Sequence, residues 1–91
     1  MRIARRFYIN GRVQNVGFRY FTRDVAEREG VTGYVRNLAD GRVEAYVEGD
    51  FEAVTRVERA IRSGPSGARV DHVEADALTP SGAYKSFMVT S

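Results

Sequence analysis

The stretch FYINGRVQNVGFRYF, Phe7–Phe21, contains two periodicities and the join between them. Phe7, Ile9, Gly11 and Val13 share one parity, with Arg6, Tyr8 and Asn10 on the other. That is the period-two alternation of a half-buried strand, expected over about residues 3–13. After Gly17 the spacing changes, and Phe18, Phe21, Val25 and Ala26 recur at helical intervals. A helix is expected over about 18–29, closed by Gly30 where a left-handed residue ends a helix. Arg23, Asp24, Glu27 and Arg28 fall on its wet face, and Asp24 with Arg28 at i, i+4 predicts a minor supporting pair.

Outward from this join the pattern continues. Residues 31–38 return to strand and end in Leu38-Ala39-Asp40-Gly41, where an Asp-Gly pair tolerant of positive φ predicts a hairpin turn. Residues 42–48 alternate, with Val43, Ala45 and Val47 expected inward and Glu44, Tyr46 and Glu48 outward. Asp50 is expected to be an N-cap, with Glu52 in the first turn. Phe51, Val54, Val57 and Ile61 form the expected buried stripe of a second helix, and Gly64-Pro65 ends it. Residues 66–69 read as loop. Residues 70–77 and 84–90 read as two strands joined by Thr79-Pro80-Ser81-Gly82. The order βαββαβ, with one more strand at the end, predicts an α+β fold: a ferredoxin-like sandwich with an antiparallel sheet and two helices on one face. Residues 1–91 are expected to form a single domain.

Composition narrows the chemistry. The chain has no cysteine, so disulfides, thiolate metal sites and a cysteine nucleophile are excluded. Its one histidine, His72, lies in a polar stretch and reads as a surface residue, which leaves triad catalysis and a histidine metal cluster without material. No apolar run approaches the roughly 20 residues of a membrane span, and the first residues lack the apolar core of a signal peptide. A cytoplasmic protein without membrane or nucleic-acid partners, and a monomer, is the expectation. Residues 1–42 carry nine Arg and four acids, a net of +5; residues 43–91 carry five basic residues and eight acids, a net of −3. An anion site is therefore expected in the first half.

Two constellations bear on that site. Gly11-Arg12-Val13-Gln14-Asn15-Val16-Gly17-Phe18-Arg19 joins strand to helix and holds two glycines and an Asn, the residue types that accept positive φ. Such a segment can turn successive N–H groups into one concavity beside the free N–H groups of a helix start. Arg19, in the first helical turn, is unfavourable for the helix dipole but has a planar fork that suits phosphate. Taken alone, the loop reads equally as a strand–helix turn with a surface arginine. The second is Gly33-Tyr34-Val35-Arg36-Asn37. Asn37 carries a donor and an acceptor that suit holding a water, although an Asn closing a strand before a turn is the simpler reading.

Together these stretches resemble the signatures of the acylphosphatase family. The first matches as Ile9-x-Gly11-x-Val13-Gln14-x-Val16-x-Phe18-Arg19, the second as Gly33-Tyr34-Val35-Arg36-Asn37 followed by Gly41, Val43 and Gly49. The resemblance covers essentially the whole chain. It implies hydrolysis of acyl phosphates to a carboxylate and inorganic phosphate, with no cofactor and no metal. It implies phosphate binding by Arg19 with the backbone N–H groups of Gln14, Asn15, Val16, Gly17, Phe18 and Arg19, and water oriented by Asn37. One position departs: the family usually has Gly after the loop glutamine, and here it is Asn15. Asn is the best non-glycine residue at positive φ, so the nest is expected to survive, with the cost falling on phosphate affinity and turnover rate.

Two other readings have support. Tyr8, Tyr34 and Tyr46 share the outward parity and could stack bases as RNA-binding domains of the same element order do, but Glu44 and Glu48 flank Tyr46 and would repel phosphates. Those acids are expected to pair across strands with Arg6 and Arg36. The other is an anion-binding module that keeps the nest without turnover, given that the resemblance extends to a domain of larger hydrogenase-maturation proteins.

Overall fold

The computed structural model describes residues 1–91. The change of period at Gly17 is the change from β1 (Arg2–Arg12) to α1 (Phe18–Glu29); β2 (Thr32–Asn37), β3 (Val43–Asp50), α2 (Phe51–Ser63), β4 (Arg69–Leu78) and β5 (Phe87–Thr90) follow. The inward parity of the sheet (Phe7, Ile9, Val35, Val43, Ala45, Val47) meets Phe18, Val25 and Ala26 of α1 and Ala53, Val54, Val57 and Ile61 of α2 in one buried cluster. Both helices thus cover one face, because only that face presents a continuous apolar stripe.

The sheet order is β4-β1-β3-β2-β5. The pairs β1·β3, β1·β4 and β2·β3 are antiparallel, but β5 runs parallel to β2, so the sheet is mixed rather than antiparallel throughout. The register explains why. Leu78 at the end of β4, Ala4, Glu48 and Thr32 at the start of β2 lie on one row across the sheet. The chain leaves β4 at the end where β2 begins, so a last strand on the open edge of β2 has to run with it. Its first residues are spent on the crossing, and β5 is four residues long instead of the expected 84–90.

Five local expectations are corrected. In the hairpin, the N–H of Gly41 donates to the Leu38 carbonyl (3.2 Å) and that of Leu38 to the Arg42 carbonyl (2.8 Å). Only Gly41 has positive φ (96°), which is the three-residue loop with a left-handed third residue, not the two-residue Asp-Gly turn. Asp50 is the N-cap residue of α2 and Glu52 lies in the first turn, as expected, but the Asp50 side chain makes no capping bond; its carboxylate takes the N-terminal ammonium at 3.1 Å. Phe51 is exposed at the first helical position, with the Arg5 guanidinium 5.6 Å from its ring centre, and Ala53 takes its place in the buried stripe. Asp24 contacts Arg23 (3.4 Å) rather than Arg28. Finally, every residue of Val43–Gly49 is buried, including Glu44, Tyr46 and Glu48.

That last difference arises because the segment between β4 and β5 crosses the sheet face opposite the helices. Glu48, fully buried, accepts hydrogen bonds from the Tyr46 hydroxyl (2.6 Å), the Ser81 hydroxyl (2.9 Å), and the main-chain N–H groups of Ser81 (3.0 Å) and Gly82 (2.8 Å). Its cationic partner is Arg2 at 3.4 Å, not Arg6, which turns to Asp76. Glu44 does take Arg36, at 2.6 Å, together with the Tyr34 hydroxyl at 2.8 Å. Tyr34 and Tyr46 stack on each other with ring centres 5.8 Å apart, and Tyr84 tilts against both. Tyr34 and Tyr46 are therefore packed against each other, Tyr8 has the Arg6 and Arg42 guanidinium groups over its ring, and all three hydroxyls are tied to carboxylates.

Burial pushes the Glu48 carboxyl up, but the bonds from Tyr46, Gly82 and Ser81 outweigh it and bring it from the ordinary 4.5 down to about 2. A depressed carboxyl stabilises the fold above its ordinary value, and that contribution is lost as pH falls from 4.5 toward about 2. Glu48→Gln is expected to lower the melting temperature at neutral pH and to flatten its decline across that acid window. An unchanged decline, measured by thermal melts from pH 5 to 2, would remove Glu48 from the acid limb.

Candidate active site

Val13 is buried and anchors the end of the β1 segment, so the chain must turn sharply to start α1. It does so through two left-handed residues, Asn15 (φ 62°) and Gly17 (φ 75°). Asn15 is the one non-glycine residue in the chain with positive φ, as its place in the loop required. Gly17 occupies the N-cap position and has no side chain to cap with, so the first-turn N–H groups, which have no partner within the helix, face the loop without a capping oxygen.

Asn15, Gly17, Phe18, Arg19 and Asn37 line one cavity of about 210 Å³ with Val13 and Tyr20. Five of the seven site residues expected from sequence thus converge, from two segments that meet only in the fold. The other two, Gln14 and Val16, do not line the cavity. Val16 packs partly buried against the core, and the Gln14 side chain is turned to the β2–β3 hairpin. Any contact of these two with a bound anion would be through the main chain.

Arg19 is half-buried and its Nη1 donates to the main-chain carbonyl of Thr90 in β5, at 3.2 Å. No acidic side chain pairs with it, so its charge is not neutralised within the protein. Its guanidinium also lies 6.0 Å from the centre of the Tyr20 ring, which has Arg23 on it at 5.2 Å. Asn37 is the last residue of β2 and pairs with Val43, so the ladder fixes its backbone while its half-buried side chain reaches the cavity. No three His, Cys, Asp or Glu side chains converge to hold a metal ion, and His72 is on the surface.

Sequence reasoning missed Thr90 and Tyr20. Tyr20 is exposed and follows Arg19 directly, a position that strand or helix periodicity assigns only to solvent. Thr90 contributes a carbonyl oxygen, which carries no side-chain signature at all.

The fold and the cavity define a ferredoxin-like sandwich with an anion-suited pocket between its first strand–helix loop and the end of β2. Comparison with known proteins is specific. The family model for acylphosphatase matches residues 5–89, and the chain belongs to the acylphosphatase family, hydrolases that act on acyl phosphates. An acylphosphatase of Pseudomonas paraeruginosa is 54% identical over 77 residues, 85% of each chain. One of Anaeromyxobacter dehalogenans is 47% identical over 88 residues, 97% of this chain and 95% of that one. A crystal structure of acylphosphatase from Bacillus subtilis superposes with a TM-score of 0.94 at 30% identity, covering 98% of this chain and 99% of that one.

Proposed function

We propose that residues 1–91 act as one monomeric cytoplasmic unit in which the loop 14–19 and Arg19 hold the phosphoryl group of an acyl phosphate and Asn37 orients the attacking water. The supporting observation is the convergence of Arg19, uncompensated by any acid, and Asn37 on one cavity floored by the left-handed turn at Asn15 and Gly17.

The chemistry follows from charge. The guanidinium fork and the main-chain N–H groups of the loop neutralise the phosphoryl oxygens. Asn37 accepts from and donates to a water in line with the acyl oxygen. The water oxygen bonds to phosphorus as the bond from phosphorus to the acyl oxygen breaks, and the carboxylate departs with that electron pair. The water proton passes to a phosphate oxygen. A carboxylate is a good leaving group and needs little acid assistance, so positioning and electrostatic stabilisation carry the reaction.

Release of inorganic phosphate from benzoyl phosphate, assayed with chelator present, tests this. Steady hydrolysis unaffected by chelator is expected. Binding of phosphate without hydrolysis would instead identify a non-catalytic anion-binding module, with Asn15 as the first residue to replace by Gly.

A further inference from the structure

The two halves of the site come from different supersecondary units. Arg19 and the loop belong to the β1–α1 join, and Asn37 to the tip of the β2–β3 hairpin. The ladder between β1 and β3 ends at the pair Ile9 and Val43. Beyond that rung the strands diverge, with the loop leaving on one side and the hairpin on the other. One side chain spans the gap. The Gln14 Nε2 donates to the Leu38 carbonyl at 2.8 Å and to the Arg42 carbonyl at 3.0 Å. No other side-chain hydrogen bond joins residues 11–19 to residues 37–42.

The chemistry of the partners makes this contact specific. Both are carbonyl oxygens, so only the amide nitrogen fits, and its two N–H groups are both used. Each carbonyl has one lone pair already engaged, Leu38 by the Gly41 N–H and Arg42 by the Leu38 N–H, and Gln14 takes the other. The amide therefore closes the throat of the hairpin at the rung immediately after the pair Asn37 and Val43. Its own backbone immediately precedes the left-handed Asn15. A movement of the hairpin tip relative to the loop has to break a two-centre contact at this point.

We infer that Gln14 is a positioning residue, whose side-chain amide sets the distance between the phosphate loop and Asn37 and so the alignment of the water with the phosphorus. This rests on the roles proposed for Arg19 and Asn37. It assigns the Gln14 side chain to turnover rather than to phosphate affinity.

The test is a double-mutant cycle of Gln14→Glu with Asn37→Ala, read as kcat on benzoyl phosphate and as the inhibition constant of inorganic phosphate. Gln14→Glu keeps shape and removes both donors. It is expected to lower kcat by about ten- to a hundredfold, the scale of a misplacement of about 1 Å. The phosphate inhibition constant is read on the uncharged Gln14→Met, since a carboxylate beside the loop repels phosphate directly, and is expected to stay within about twofold. In the Asn37→Ala background either substitution is expected to change kcat by less than about twofold, because the two residues act as one unit. Gln14→Lys, which can still donate to both carbonyls, is expected to recover much of the loss. Gln14→Met, which keeps length without donors, has the same expectation as the Glu variant and replaces it if that variant does not fold. Losses that multiply across the cycle, or a phosphate affinity of Gln14→Met that falls with kcat, would overturn the proposal. So would full kcat in Gln14→Glu and Gln14→Met while Asn37→Ala is crippled, and that result would leave the site reading standing. Full kcat in Asn37→Ala itself would remove the site reading and this proposal with it.

Discussion

Arg19→Gln is expected to abolish phosphate binding and acyl phosphate hydrolysis together. The guanidinium offers two parallel charged donors, each worth about 1.5–3 kcal/mol to an ionised acceptor, so losing both costs about a hundredfold or more in kcat/KM. The fold should not suffer comparably. Arg19 is only half-buried, and the one hydrogen bond its side chain makes within the protein is to the Thr90 carbonyl at the sheet edge. Arg19→Lys keeps the charge without the fork and is expected to fall between the two. Steady-state kinetics with phosphate as inhibitor, beside thermal melts, measures all three. Substantial activity in Arg19→Gln would remove Arg19 from the site.

Asn37→Ala is expected to separate binding from turnover. The backbone of Asn37 is held by its pairing with Val43, so the substitution removes the cavity-facing amide and leaves the ladder in place. A water that has lost its orienting donor and acceptor loses much of the advantage of a fixed attack geometry, and kcat is expected to fall about a hundredfold or more. The phosphate inhibition constant is expected to remain near that of the unsubstituted protein, since the loop and Arg19 are untouched. Equal loss of both quantities would make Asn37 a structural residue of the hairpin.

The tyrosine face shows where a local pattern misleads. Tyr34 and Tyr46 alternate with apolar residues as outward positions do, and a two-sided sheet with one open face is the default for such alternation. Alternation reports that two faces differ, not that the second is wet. Here the crossing at Ser81 and Gly82, anchored on Glu48, and the stacking of Tyr84 bury much of it. The partners of these acids were separated from them by more than thirty residues in the case of Ser81, beyond the reach of any periodicity.

The sequence by itself determined the elements, their order and the chemistry of the two site segments. Helix, strand and left-handed turn are decided by neighbours a few residues apart, and Asn15, Gly17, Gly30 and Gly64 sit where local sterics demand them. Tertiary structure alone decided the parallel pairing of β5, the burial of Glu44 and Glu48, the exposure of Phe51, and the link from Gln14 to the hairpin carbonyls. Each of these depends on which distant backbone atoms lie on the same row of the sheet, and main-chain oxygens and crossing directions leave no mark on residue type.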